Sequence, residues 1–382
     1  MKITLKRTPE QVELVKAMAS RNRQVAYEAQ VALAEFIGPV LAEVLNQAPT
    51  VSNLFQTLQF DADDNPSIPL DLYYNISDED YVQVWSQSHA GGLPSNQVLP
   101  TASELKLATY SLDSAVDFDR RYAAKSRMDV VSKTFTRVAQ NILIKQETTS
   151  ATLLMSALAN ASTNSIDHVY QSTQAARFIL NDLNEMLTSA KRINTSWIGG
   201  TPTTRTKGIT DLLVSPEVVE DLRAMAYNPI NSVSSDGAAP AAGEDGIAAP
   251  DSVREAMYRS AGLPEFYGIS IMELNELGVG QKFNTLFATA RGATGITRPD
   301  GSGSTAFVGG TDEIVVGVDR TKDSLIRAVA TDSESGSEFT LLADDQYSIR
   351  QNKIGYFGSV EEGRVVLDNR VLIGKMIYND KP

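Results

Sequence analysis

Between Lys125 and Ala159, large apolar side chains fall at Met128, Val131, Phe135, Val138 and Ile142. The stripe resumes at Ala151, Leu154 and Leu158, after a polar window from Lys145 to Ser150. Steps of three and four residues place these side chains on one face of a helix. Roughly 30 helical residues span about 45 Å. A stripe of that length needs a comparably long apolar surface to lie on.

The N-terminal segment also reads as a helix. Thr8, Pro9 and Gln11 supply an N-cap, a first-turn proline and a capping-box partner. Apolar or small residues follow at Val12, Val15, Ala19, Ala26, Ala29, Leu33, Phe36 and Val40, with Asn22 interrupting one turn. Gly38-Pro39 predicts a kink or break, with a short continuation to about Asn46. Such a helix must lie on its own body or on a neighbouring subunit.

Residues 56–123 change character. They contain four prolines, a Gly91-Gly92 pair and alternating stretches around Tyr81, Trp85, Leu105 and Leu107. This predicts a long β-hairpin with a polar, glycine-rich tip, which is marginal unless other chains support it. A third helix is expected over 165–192, where Ile166, Val169, Thr173, Ala176, Leu180, Leu183, Leu187 and Ala190 step by three and four.

The second half is mixed. A strand over 209–214 runs into the helix of "SPEVVEDLRAM", with Ser215 as N-cap and Pro216 at the first helical position. Residues 228–250 read as a small-residue loop, a short helix starts near Ser252, and "GLPEFYGISIMEL" reads as a turn and a strand. A glycine-rich loop follows at 292–305, and three stretches from Glu313 onward are strongly β.

Chemistry finds little support. The 382 residues include no cysteine, which removes disulfides, thiol catalysis and zinc–thiolate sites. The two histidines, His89 and His168, lie in unrelated segments and read as surface or packing residues. "DADDNP" opens like a calcium loop, but Pro66 and Leu72 stand where glycine and glutamate are required. Ser103 and Lys106 match S-x-x-K without a K-T-G strand. No phosphate-cradling glycine motif occurs. Pro216 removes the N–H that an oxyanion hole beside Ser215 would need, so Ser215 reads as a cap. The pairs Asp344-Asp345 and Glu361-Glu362 read as solvated turn residues. No catalytic residue, cofactor or metal site is assigned. No apolar run approaches the roughly 18 residues of a membrane span, and no signal peptide is read. A net charge of −13 repels nucleic acid at long range, yet could line a space that holds it.

In order, these segments resemble the tailed-phage major capsid proteins of the Hong Kong 97-like fold. Three stretches carry the resemblance: "LLVSPEVVEDLRAM", "GLPEFYGISIMEL" and the ending "GSEFTLLADDQYSIRQNKIGYFGSVEEGRVVLDNRVLIGKMI". The resemblance implies an α+β fold in four parts. These are an N-terminal arm over 1–55, an extended hairpin loop and its base over 56–123, a peripheral domain over 124–204 completed by 341–382, and an axial domain over 205–340. It implies a structural, non-enzymatic protein that assembles with itself as hexamers and pentamers. The resulting icosahedral shell forms in the host cytoplasm and becomes the virion capsid around double-stranded DNA, held by enclosure rather than specific binding. A portal protein is implied, and there is room for a decoration protein. Only the 1–55 arm precedes the hairpin, which favours a separate scaffolding protein. Some family members cross-link a lysine of the extended loop. Lys106 lies in that loop without a matching motif, so this activity is not carried over.

Subunit-interface candidates on the hairpin and its base are Trp85, Glu104, Lys106, Asp113, Asp117, Asp119, Arg120 and Arg121; on the N-terminal helix they are Val12, Val15, Leu33 and Phe36. Two other readings stay open. One is an encapsulin-like shell around cargo protein. The other is an enzyme with carboxylates in a cleft of the mixed domain.

Overall fold

The computed structural model describes residues 8–47, 51–61, 65–69, 104–163, 166–173, 176–195, 208–225, 265–266, 268–298, 301, 303–322, 324–331, 338–344 and 352–378. Strands and helices are numbered along the chain. The helices are α1 (Pro9–Ala17), α2 (Arg23–Gln47), α3 (Arg120–Ala124), α4 (Met128–Ala159), α5 (Leu180–Thr195), α6 (Pro216–Met225) and α7 (Lys282–Arg291). The described residues form two compact units. One falls within 1–68, 105–150 and 326–365, the other within 69–104, 151–325 and 366–382. These boundaries cut the chain differently from the four segments expected, and one of them falls inside α4, after Ser150.

The first unit is built on one sheet. β1 (Gln56–Asp61) pairs in parallel with β14 (Leu325–Thr331), and the sheet continues through β16 (Lys353–Val366) to β15 (Thr340–Asp344). β4 (Tyr110–Asp119) pairs antiparallel with β16 over ten positions, from Asp119 opposite Lys353 to Tyr110 opposite Glu362. Helix packing and sheet meet in one core: Val131, Phe135, Val138 and Ile142 of α4, Leu112 and Phe118 of β4, Ile354 and Tyr356 of β16, and Leu33, Ile37 and Leu41 of α2. Phe135 sits edge-on to Tyr356, with ring centroids 5.2 Å apart, and Phe118 stacks on the same ring at 6.3 Å. Gly358 makes room for the tip of the Phe339 ring, since a Cβ there would stand 2.6 Å from it.

The second unit carries an eight-stranded mixed sheet. Its order is β12 (Ser304–Ala306), β11 (Gly295–Thr297), β7 (Val169–Gln171), β17 (Leu372–Ile377), β13 (Glu313–Val318), β8 (Asp211–Val214), β10 (Ile269–Glu273) and β9 (Glu265–Phe266). β8, β13 and β17 are buried at every position. Their nearly unbroken apolar runs are what a strand covered on both faces requires. Leu183 and Met186 of α5 and Val218 and Leu222 of α6 cover one face, packing on Leu212, Val315 and Ile373. A two-stranded piece, β5 (Ser162–Thr163) with β6 (Ile166–Asp167), lies beside them in sequence.

Several expectations hold. The long helix runs unbroken through the polar window for 32 residues, with its apolar stripe buried. The 209–214 strand turns at Ser215, whose Oγ accepts the Val218 N–H at 3.1 Å. The class is α+β, and the long helix is followed by a second helix, a strand–helix unit and closing strands, as the resemblance implies.

Others need correction. The N-terminal helix breaks at 18–22, not at Gly38-Pro39. Ser20 Oγ accepts the Asn22 N–H and Asn22 Oδ1 accepts the Gln24 N–H, each at 3.2 Å, so a new helix is capped there. Pro39 rides inside α2 on its exposed side. The third helix begins only at Leu180, because Ile166–Asp167 and Val169–Gln171 are strands. Their apolar residues fitted a helical period by chance while tertiary pairing decided the outcome. The described legs of the hairpin mostly pair elsewhere, β1 with β14 and β4 with β16. Only β2 (Ser67–Pro69) and β3 (Glu104–Lys106) pair with each other. The glycine-rich stretch holds β11 and β12, and α7 was not foreseen. Residues 70–103, with Trp85, His89, Gly91-Gly92 and Ser103, lie outside the described residues, as do 226–264.

Phe135→Ala should cost about 3–5 kcal/mol through the cavity left beside Tyr356. Urea denaturation measures this, and an unchanged midpoint would place that face of α4 in solvent.

Candidate assembly surfaces

The outer face of the first unit's sheet follows from strand alternation. In β4, Leu112 and Phe118 point into the core, so Ser111, Asp113, Ala115, Asp117 and Asp119 share the opposite face. Three interface candidates therefore meet on one surface, and each has a partner within the chain. Asp113 accepts from Ser111 Oγ at 2.5 Å and from Ser359 Oγ at 2.7 Å, and these bonds hold its carboxyl below the usual range. Asp117 binds Lys353 Nζ at 2.5 Å. Asp119 caps α3, accepting the Arg121 N–H at 2.9 Å and its guanidinium at 2.8 Å. Glu104 and Lys106 are exposed on β3, and Arg120 opens α3.

On the same face lies an apolar pair that sequence reading missed. Leu342 of β15 stands directly opposite Phe357 of β16, and the two are 56% and 37% exposed. The signal was present in Leu341-Leu342: two consecutive large apolar residues on one strand cannot both face inward.

α2 carries a second exposed apolar surface. Ala29, Leu33, Ile37 and Leu41 turn into the core, leaving Val25, Ala32, Phe36, Pro39 and Val40 outside with Glu28 and Glu35. Phe36 is therefore 52% exposed, and Val12 of α1 is half-buried. Val15 and Leu33 are corrected: both are buried in this chain's own core and offer nothing to a neighbour. Among the described residues, eleven large hydrophobics are exposed, and nine of them belong to the first unit.

The acidic pairs are also corrected. Glu361-Glu362 sits inside β16, not at a turn, so the two side chains point to opposite faces. Glu361 accepts from Thr109 Oγ1 at 2.7 Å. Glu362 is fully buried, and it accepts from Arg327 Nε at 2.9 Å, Tyr110 Oη at 3.0 Å, Gln146 Nε2 at 3.1 Å and Arg364 Nη2 at 3.1 Å. Burial pushes its carboxyl up, but the Arg364 and Arg327 guanidiniums pull harder and hold it below the usual range. Burial and the same carboxylate push Tyr110 up to about 12. Four donors from four residues converge on this one carboxylate, so the cluster reads as a structural knot that ties β14, β4, α4 and β16 together. Asp344 is half-buried, and Asp345 lies outside the described residues.

The second unit has a comparable knot. The buried Lys375 ammonium meets Asp182 at 3.3 Å and Glu185 at short range. Ser172 Oγ donates to Asp182 at 2.8 Å. Burial raises the Asp182 carboxyl despite the pull of Lys375. The cleft beside α5, lined by Tyr170, Asn181, Asn184, Glu185 and Lys375, thus presents carboxylates already committed to a cation. His168 is a packing residue: Nδ1 lies 3.1 Å from the Leu372 carbonyl, Nε2 lies 2.8 Å from Thr163 Oγ1, and burial pushes its pKa down. Among the described residues there is no group of three or more metal-ligating side chains, and no helix long and apolar enough to cross a membrane.

No protein-family model matches the chain, and no curated protein is significantly similar to it in sequence. Solved structures do match. One is the holo-SrpI encapsulin complex of Synechococcus elongatus, at 11% identity and TM-score 0.44, covering 86% of each chain. Another is the capsid of the cyanophage P-SCSP1u, at 14% identity and TM-score 0.42, covering 86% of this chain and 88% of that one. A third is the capsid of an empty GTA particle, at 10% identity and TM-score 0.46, covering 86% and 90%. All three are capsid or encapsulin structures.

Glu362→Gln should destabilise by about 3–5 kcal/mol, because it leaves buried guanidiniums without their anion. Because the folded pKa is depressed, the carboxylate's contribution is complete above the unfolded value of 4.5 and is lost as pH falls below it. The gap in denaturation midpoint between Glu362→Gln and the parent chain should therefore be full at pH 7 and shrink as pH falls through the depressed folded pKa.

Proposed function

We propose that this chain is the structural subunit of a self-assembling protein shell of the Hong Kong 97-like kind, a phage capsid around double-stranded DNA. The observation that carries the reading is the clustering of exposed apolar side chains on the first unit. Leu342 and Phe357 crown one side of its sheet, while Val25, Phe36 and Val40 line the outer side of a helix packed on the other. Scattered single apolar residues need no explanation, but grouped ones mark contact surfaces. A unit with such surfaces on opposite sides can be gripped from two directions at once, as a lattice requires.

The order of elements supports the same reading, as do the two charge knots. Each knot locks carboxylates to cations inside the chain. Hexamers and pentamers are the arrangement proposed, with a portal at one vertex and a separate scaffolding protein. The acids of β4, already paired within the chain, contribute solubility and register rather than the main attraction. A single exposed ion pair adds only about 0–1 kcal/mol. Many weak contacts per subunit suffice in a closed shell.

Electron microscopy of the purified product should show closed particles, with double-stranded DNA recovered from those made during infection. Protein cargo without DNA would support the nanocompartment instead. Leu342→Asp with Phe357→Asp should leave the melting curve nearly unchanged and abolish particles. Normal shells from that variant would remove the sheet face from the interface.

A further inference from the structure

Charge on the first unit is segregated by helix. From Arg120 to Lys145 the chain carries seven Lys or Arg residues against the single acid Asp129, in a protein of net charge −13. Arg121 and Arg127 are paired with Asp119 and Asp129. Lys133 and Arg137 are exposed and share one arc of α4 with Gln140, Asn141 and Ile144, and Ile144 is 62% exposed. α2 is the complement. From Gln24 to Gln47 it has no Lys or Arg, and its exposed arc sets Glu28 and Glu35 beside Val25, Ala32, Phe36 and Val40. At 1.5 Å per residue the α4 arc runs about 16 Å and the α2 arc about 22 Å along the helix. Both arcs are exposed on the same unit, so neither covers the other within the chain.

Resting on the shell reading above, we infer that the acidic, apolar outer face of α2 in one subunit docks on the basic outer face of α4 in the next. The occupant of each face is thus a second copy of this chain. Opposite charges with apolar residues among them fit one another across such a contact. The alternative symmetric contacts are disfavoured. α2 against α2 would set Glu28 and Glu35 against the same acids, and α4 against α4 would set Lys133 and Arg137 against cations. Like charges facing one another select against a twofold dimer. A head-to-tail contact has no such conflict, and it repeats until a ring closes. A polyanion would satisfy Lys133 and Arg137, but it would leave Ile144 on α4 and Phe36 and Val40 on α2 unexplained.

Charge reversal tests this. Lys133→Glu with Arg137→Glu, and separately Glu28→Lys with Glu35→Lys, should each raise the protein concentration needed for half-assembly at least tenfold in light scattering. The chain carrying all four changes should assemble within about threefold of the parent. Ile144→Asp should block assembly independently, and thermal melting of every variant should match the parent because all five sites are exposed. Unimpaired assembly of both double variants overturns the contact while leaving the shell reading intact, and so does failure of the fourfold variant to recover. Should the α4 double variant assemble normally but lose retention of double-stranded DNA at low salt, the face serves a polyanion and the contact is likewise overturned. Failure of the parent chain itself to form particles sinks the shell reading instead.

Discussion

The first unit depends on one aromatic junction. Tyr356 is buried with Phe135 of α4 against its edge, Phe118 of β4 stacked on its face, and the Met18 sulfur 4.0 Å from its hydroxyl. Four segments remote in sequence therefore share one side chain. Burial pushes the Tyr356 hydroxyl far above its ordinary range, so it stays neutral and acts as an apolar wedge with a weak polar tip. With this junction in place, α4 lies along the sheet, α2 is fixed with one face inward, and its other face is committed to solvent or to a neighbour. The exposed surfaces are thus consequences of the core and not independent features.

Much of this was legible in the sequence because the signals were long or chemically explicit. The stripe of α4 repeats often enough that chance cannot imitate it, and Ser215 and Pro216 state a helix start in their chemistry. What failed was short or non-local. Ile166 and Val169 satisfy a helical period, but Ile166 pairs with Thr163 in a short local ladder and Val169 pairs with Gly374, about 200 residues away. The hairpin reading of 56–123 assumed that neighbours in sequence pair with each other. The structure instead gives β1 a partner near Val329 and β4 a partner in β16. Asn22 was seen as a flaw in a stripe when it was a cap.

The candidate surfaces show the same division. Phe36 lies exposed because it belongs to a stripe whose arc is wider than the core beneath α2 covers. Val15 and Leu33 were misassigned, since periodicity says which residues align but not which side is inward. Glu362 shows what sequence cannot convey: adjacent glutamates in a strand lie on opposite faces, one half-buried against Thr109 and one among arginines. Leu342 and Phe357 become a site only when register sets them opposite each other.

The parallel pairing of β1 with β14 joins residues about 270 positions apart. During synthesis β1 has no partner until the roughly 270 residues up to β14 have followed it, and β16, with Phe357, arrives later still. The adhesive parts of the first unit therefore cannot mature on an unfinished chain. Timing of this kind ties the exposed faces of the first unit to the closing of its sheet: a product that stops before β16 presents neither the Leu342–Phe357 pair nor the surface that orients α2.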